Sequence, residues 1–275
     1  MKRLLSLAVL LMIAIFLSAC GDDSSSQNDG SSDSSSSDNS EQSTLAKVKD
    51  SGKLLIGTEG TYRPYTYHDE SGDLTGFDVE IAREVADRIG VKPVFKETKW
   101  DSMFAGLNAK RFDMVANEVG ITKDRKKKYA FSDSYIQSSA VVVTNKDNSS
   151  IKDFSDLKGV KTAQSLTSNY ADIARENGAD ITEVDGFNSA MQLLASGRIE
   201  ATVNDRLSVL DYKKQRPDAP VKIAARKDEA SESGLLFRQG NEELVQAANK
   251  ALKDMKDDGT YLKIAKKWFG EDVSK

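Results

Sequence analysis

The sequence predicts an α/β fold with mainly parallel sheets from Leu45 to the C-terminus. Two observations carry this reading. Short apolar strands alternate with segments of helical period throughout. The strands also end in polar or acidic clusters, as they do where an open sheet places a ligand site outside its carboxyl edge.

Taken in order, Lys53 to Thr58 reads as a buried strand and Glu59 to Tyr67 as an aromatic loop. A helix follows Gly76, with Phe77, Ile81, Val85 and Ile89 on one side and Gly90 as its stop. Val94 to Glu97 is a strand, and Trp100 starts a helix carrying Met103, Phe104 and Leu107. Phe112 to Asn117 is the strand around which the chain is organised, and it runs into Gly120-Ile121-Thr122 and the charged run Lys123 to Lys128. Ala140 to Val143 closes this first unit.

A second unit has strands at Lys161 to Gln164, Ile181 to Val184, Glu200 to Asn204 and Val221 to Ile223. Its helices begin at Ser168, near Ala190 and after Asp205, with a short helical turn at Asp153 to Leu157. Gly234 to Phe237 is a further strand. A long helix through Leu244, Ala248, Leu252 and Met255 ends before Gly259, and Tyr261 to Phe269 is the last helix.

The N-terminus has another character. Met1-Lys2-Arg3, then the apolar run Leu4 to Leu17, has the form of an export signal and is too short to span a bilayer comfortably. Leu17-Ser18-Ala19-Cys20-Gly21 reads as a lipoprotein cleavage site, with residues 1–19 as signal peptide and Cys20 as the lipid-bearing mature terminus. Asp22 to Ser43 holds 11 serines and five aspartates in 22 residues and nothing apolar. Residues 20–43 are therefore expected to be a disordered tether, spanning about 25 Å on average. Cys20 is the only cysteine, so the folded part rests on its core and not on disulfides. Without Lys2 and Arg3 the chain has 37 basic and 43 acidic residues, a charge of −6. That disfavours nucleic acid as a partner. The lone His68 and the lack of a Cys/His cluster argue against zinc, and no cofactor is expected.

Several residues suit an α-amino acid, which needs donors for its carboxylate and an acceptor for its ammonium. Arg125 offers a planar fork of donors; the alternative is that its charged run is a solvated helix end. Thr167 and Ser168 stand at a helix start, where amides and dipole favour an anion, and read equally well as caps. Asp205, just past a strand, is an ammonium acceptor or an N-cap. Tyr62, Tyr65 and Trp100 are candidate walls or core.

Four stretches resemble the family 3 bacterial solute-binding proteins, the receptors of polar amino-acid ABC importers. They are Gly76 to Ile81, Ile121 to Lys127 with Phe131-Ser132-Asp133, Thr202 to Asp205, and Asp258-Gly259-Thr260 with Lys267 to Gly270. Glu59 to Tyr62, Trp100 to Leu107, Asn117 to Gly120 and Ala163 to Tyr170 resemble the L-cystine-binding lipoproteins among them. The resemblance implies a type II periplasmic-binding-protein-like fold, with two lobes joined by two hinge strands. Lobe 1 would comprise residues 44–139 and 233–275, and lobe 2 residues 140–232, with crossings near Ser138–Ala140 and Ser231–Gly234.

It further implies capture of a polar amino acid, L-cystine first, by lobe closure. Delivery would be to permease subunits with an associated ATPase, from a protein held on the outer face of the membrane by acylated Cys20. Arg125 would hold the ligand carboxylate with Thr167 and Ser168, and Asp205 its ammonium. Tyr62 and Trp100 would contact the ligand, while Tyr65 packs inward. Glu59 and Asn117 would meet the second zwitterionic end of cystine. The family often has a small hydroxyl two residues before the Ile121-Thr122 pair. Here the neighbourhood reads Glu118-Val119-Gly120, and backbone groups are expected to take that role. The same fold also serves cyclohexadienyl dehydratases, whose acid and base would have to be Glu59 and Asp205, and receptors for other amino acids such as glutamine.

Overall fold

The structure, a computed structural model, describes residues 42–275. The export signal, Cys20 and most of the Ser/Asp-rich stretch lie outside them. Ser43 is the N-cap of the helix Thr44–Ser51, accepting from the Ala46 N–H.

Two five-stranded sheets form the frame. In the first the order is Lys92–Glu97, Lys53–Thr58, Met114–Val115, Leu236–Arg238 and Tyr129–Phe131. In the second it is Asp180–Glu183, Lys161–Gln164, Ala201–Asp205, Ala140–Asn145 and Val221–Arg226. Each sheet is mixed. Pairings along the helix-connected strands are parallel, and the others are antiparallel. The physical reason is in the connections: Leu236–Arg238 and Ala140–Asn145 each arrive from the other sheet. A strand that does not come through a helical crossover has no handedness rule to keep it parallel. Ile136–Ser138 and Ser231–Ser233 pair as an antiparallel ribbon where the chain passes between the sheets.

The helices form where the apolar faces require them. Phe77, Ile81 and Val85 are buried along Phe77–Ile89, and Gly90 ends that helix in the left-handed conformation at φ 87°. Glu242–Asp257 buries Leu244, Ala248, Ala251, Leu252 and Met255. Thr260–Phe269 follows it and places Phe269 5.0 Å from the Phe77 ring. In the second half, Asp153 and Asp156 form a capping box on the turn Phe154–Leu157.

Several elements differ from the sequence reading. Ala140–Asn145, read as closing the first unit, pairs with Ala201–Asp205 and belongs to the second sheet, because the chain has already crossed through Ile136–Ser138. The stretch read as an aromatic loop holds the strands Thr61–Tyr62 and Thr66–His68, which pair with each other and then with Leu74–Thr75. Tyr-Thr alternation marks the hairpin, but its turn lacks the Gly and Asn that usually announce one. The organising strand shrinks to Met114–Val115. Asn117 and Glu118 leave the ladder because their polar groups are bound elsewhere, as described next.

Candidate functional site

The carboxyl ends of the central strands of both sheets meet across a cleft. A chamber lies in it, and its walls include Glu59, Tyr62, Trp100 and Asn117 from the first sheet's side. From the second come Ser168, Tyr170, Phe187 and Asn204. Contacts spanning the cleft hold the two sides together. Lys99 Nζ lies 2.6 Å from Asp185 Oδ2, Arg63 Nε 3.2 Å from Asp211 Oδ2, and Asn188 donates to the Thr61 carbonyl at 2.8 Å.

Glu59 directly follows the strand Lys53–Thr58 and is half-buried. Asn117 clamps it from both ends: its Nδ2 donates to Glu59 Oε2 at 2.7 Å, and its Oδ1 accepts from the Glu59 N–H at 2.7 Å. Burial pushes the Glu59 carboxyl up to about 7, only partly opposed by the Asn117 hydrogen bond. Tyr62 Oη lies 2.9 Å from Asn204 Oδ1, so one ring joins both sides. Its ring packs edge-on against Phe187 at 5.9 Å. The buried Trp100 has an indole N–H without a partner among the described residues.

Arg125 stands beside the chamber, not in its lining. Thr122 caps the short helix Lys123–Lys126 and accepts from the Arg125 N–H, which directs the side chain back towards the cleft. Its guanidinium donates to Gly120 O at 3.0 Å, Thr167 O at 3.1 Å and Asn169 Oδ1 at 3.3 Å. It lies 5.2 Å from the Trp100 ring and 5.1 Å from the Phe104 ring. All of its hydrogen bonds among the described residues go to neutral oxygens. Burial lowers its proton affinity, though the charge remains. The run Lys126 to Lys128 is exposed, as a solvated helix end would be. Arg125 alone turns inward.

The remaining expected residues are placed differently from one another. Ser168 lines the chamber and caps the helix Asn169–Glu176, accepting from the Tyr170 N–H at 3.1 Å. Thr167 is exposed, and both its N–H and its hydroxyl donate to Asp101 Oδ1, at 2.9 and 2.6 Å. It thus closes the cleft and does not line the chamber. Asp205 is fully buried and also outside the lining. It caps the helix Arg206–Gln215, with Oδ1 accepting from the Ser208 N–H and, at 2.7 Å, from the Tyr65 hydroxyl. Its Oδ2 has no hydrogen-bond partner among the described residues. Burial raises its proton affinity above the usual carboxylate value. Tyr65 is in the core, as the sequence reading expects.

Sequence reasoning missed Glu118, Tyr170, Phe187 and Asn204. Three of them adjoin residues that were singled out: Glu118 follows Asn117, Tyr170 ends the Thr167-Ser168-Asn169 run, and Asn204 precedes Asp205. Phe187, at the start of the helix Gly186–Ala195, carries no local signal that separates a wall from core.

Known proteins share this fold. Over its whole length the chain is 52% identical to the L-cystine-binding protein TcyA of Bacillus subtilis (strain 168), covering 99% of that relative. An ancestral arginine-binding protein bound to glutamine superposes with a TM-score of 0.77 at 41% identity, over 80% of this chain and 99% of the other. The L-cystine solute receptor of Neisseria gonorrhoeae in its unliganded open conformation is 47% identical over 84% of this chain and 99% of its own, yet the TM-score is 0.57. The more similar sequence superposes less well, as expected when one lobe is rotated against the other. With the contacts across the cleft, this places the present structure with closed forms. The model of the bacterial extracellular solute-binding proteins, family 3, matches residues 54–271, and the chain belongs to that extracytoplasmic family.

Proposed function

We propose that this chain is the receptor of an amino-acid importer and that its ligand is L-cystine. The observation that carries the reading is the chemistry of the cleft. It combines a guanidinium whose partners are all neutral, an unpartnered indole N–H, and acidic side chains at the chamber wall. Such a set suits a zwitterion and neither a plain anion nor a plain cation. Arg125 and Ser168 take one carboxylate, Asp205 stands on the ammonium side with its free Oδ2, and Glu59 with Asn117 meets the ammonium at the other end of the disulfide. Tyr62, Trp100 and Phe187 cover the apolar middle. The resemblance to an L-cystine-binding relative over the full chain supports the same choice.

A thermal-shift screen of the amino acids tests it. A ligand at about 100 times its Kd adds about 2.7 kcal/mol, a rise of roughly 5–10 °C for a chain of this size. Cystine should give the largest rise. A rise with glutamine or arginine and none with cystine would reassign the ligand. An acid near pH 7 is also what a general acid or base needs, so incubation with prephenate or arogenate tests the dehydratase alternative. Formation of phenylpyruvate or phenylalanine would establish it.

The pH dependence follows from Glu59. Its proton affinity is raised in the folded chain, from 4.5 to about 7. The unliganded fold therefore loses stability as pH rises from 4.5 towards 7, because the unfolded chain ionises first. Binding runs the other way, since an ammonium needs the ionised form. Cystine affinity should rise between pH 6 and 8, by up to about tenfold per unit below 7. Glu59→Gln should make that rise less steep and weaken cystine by ~1.5–3 kcal/mol at pH 8. An unchanged profile would leave Glu59 as a residue of the rim.

Cys20, with the Leu17-Ser18-Ala19 run before it, is proposed to carry the lipid that holds the receptor near its permease. Cys20→Ala should release the protein to the medium or leave it unprocessed. Acyl-labelled membrane protein from that variant would end the proposal.

A further inference from the structure

Glu118 lines the same chamber, and no ligand group has yet been assigned to it. It is 5% exposed and follows Asn117 just beyond Met114–Val115. Its backbone is left-handed, at φ 49°, a conformation that a side chain as large as glutamate holds only where the surroundings impose it. Asp78, from the helix Phe77–Ile89, imposes it by accepting from the Glu118 N–H. Residues held this way are concentrated at functional sites.

Hydroxyl groups surround the carboxylate. Tyr62 Oη lies 3.3 Å from its Oε2, and Tyr170 Oη and Ser233 Oγ lie 3.2 and 3.0 Å from its Oε1. They come from three elements, one of them across the cleft. No basic side chain pairs with Glu118 among the described residues. The charged groups that face it are Asp78 and Asp205, both acidic, and Arg125, whose donors are taken by neutral oxygens. Tyr65 and Tyr135 also face it, and burial keeps both in the neutral form. Burial first, then the neighbouring Asp205 and Asp78, pushes the Glu118 carboxyl well above its usual range. A hydrogen-bonded path through Tyr62 and Asn204 leads from Glu118 to the Asp205 backbone. Asp205 supplies an independent sign, a buried Oδ2 that has only the Ser138 hydroxyl beside it and accepts no hydrogen bond among the described residues.

A buried carboxylate ringed by donors, with no cation of its own, holds a proton until a cation arrives. We propose that Glu118 receives the α-ammonium group of the bound amino acid. This rests on the amino-acid reading above and adds to it a residue and a consequence. As the ammonium enters, the proton on Glu118 leaves to solvent, and the ionised carboxylate accepts N–H bonds from the ligand while the Tyr170 and Ser233 hydroxyls donate to it. Capture is thereby linked to proton release at a second group besides Glu59.

Glu118→Gln is the test, because the amide keeps an oxygen for the hydroxyls and loses the charge. Thermal melting first establishes that the variant folds. Should it not, Tyr170→Phe, which removes one hydroxyl from the carboxylate, takes its place. Calorimetry at pH 8 with cystine should then show at least tenfold weaker binding. With 3,3′-dithiodipropionate, which is cystine without its ammonium groups, the variant should bind no worse than the unsubstituted protein. Titration in two buffers of different ionisation enthalpy should show fewer protons released than the unsubstituted protein releases. A merely structural role would not move that count. Cystine affinity within twofold of the unsubstituted protein, with an unchanged proton count, would overturn the proposal and leave the amino-acid reading standing. No binding of any amino acid by the unsubstituted protein would overturn both.

Discussion

Arg125→Ala should weaken amino-acid binding by at least a hundredfold. The guanidinium is half-buried, and its donors are held by three neutral oxygens, two of them on the far side of the cleft. Without it, the ligand carboxylate would be left desolvated and unpaired, a change that typically costs ~3–5 kcal/mol, or at least two decades of affinity. Loss of the bonds to Thr167 O and Asn169 would also loosen the closed form. Arg125→Lys keeps the charge but offers no planar fork, so it should recover only part of the affinity. Calorimetry with cystine measures both variants, and native affinity in Arg125→Ala would remove the residue from the site.

Gly76→Ala should unfold the protein or nearly so. Gly76 adopts φ 131°, and a Cβ there would lie 2.1 Å from Tyr65 O, 2.5 Å from Tyr65 C and 2.8 Å from Thr66 N. All three are backbone atoms that cannot swing away. The same backbone receives the helix, since Phe77 N–H donates to Pro64 O and Asp78 N–H to Tyr65 O. Strain and overlap together should cost more than ~3 kcal/mol. Any folded remainder should bind poorly, because Tyr65 and Asp78 hold Asp205 and Glu118. Gly72→Ala is the control. It too has a positive φ, 86°, but no atom lies within 4 Å of the added carbon, so only the conformational penalty of ~1–2 kcal/mol applies. Urea denaturation compares them, and equal losses would refute the steric account.

Much of the fold is legible because its signals are local. The helix of Phe77, Ile81 and Val85 with its Gly90 stop, the short helical turn Phe154–Leu157 and the strand Lys161–Gln164 depend on residues within one or two turns of each other. Tyr129–Phe131 and Ile136–Ser138 were not read, because each is three residues long and paired with chain about a hundred residues away. The strand at Phe112 was read too long for a related reason. Asn117 and Glu118 have a strand's apolar neighbours, but Glu59 and Asp78 draw their polar groups out of the ladder.

The sequence by itself left Arg125 open between a clamp and a solvated helix end, while it determined the class of fold, the resemblance to the family, and the aromatic and acidic residues at the strand ends. These follow from composition, period and motif, which are properties of neighbouring residues. Only the tertiary structure decided which candidates share one chamber. It put Glu59, Tyr62, Trp100, Asn117 and Ser168 there, gave Thr167 to Asp101 and Asp205 to its helix cap, and brought Glu118 among hydroxyls from three distant elements. The reason is that a carboxylate's role depends on what lies within about 3 Å of it and on how much water remains. Both are set when two sheets close on each other, and neither is written in the spacing of residues along one strand.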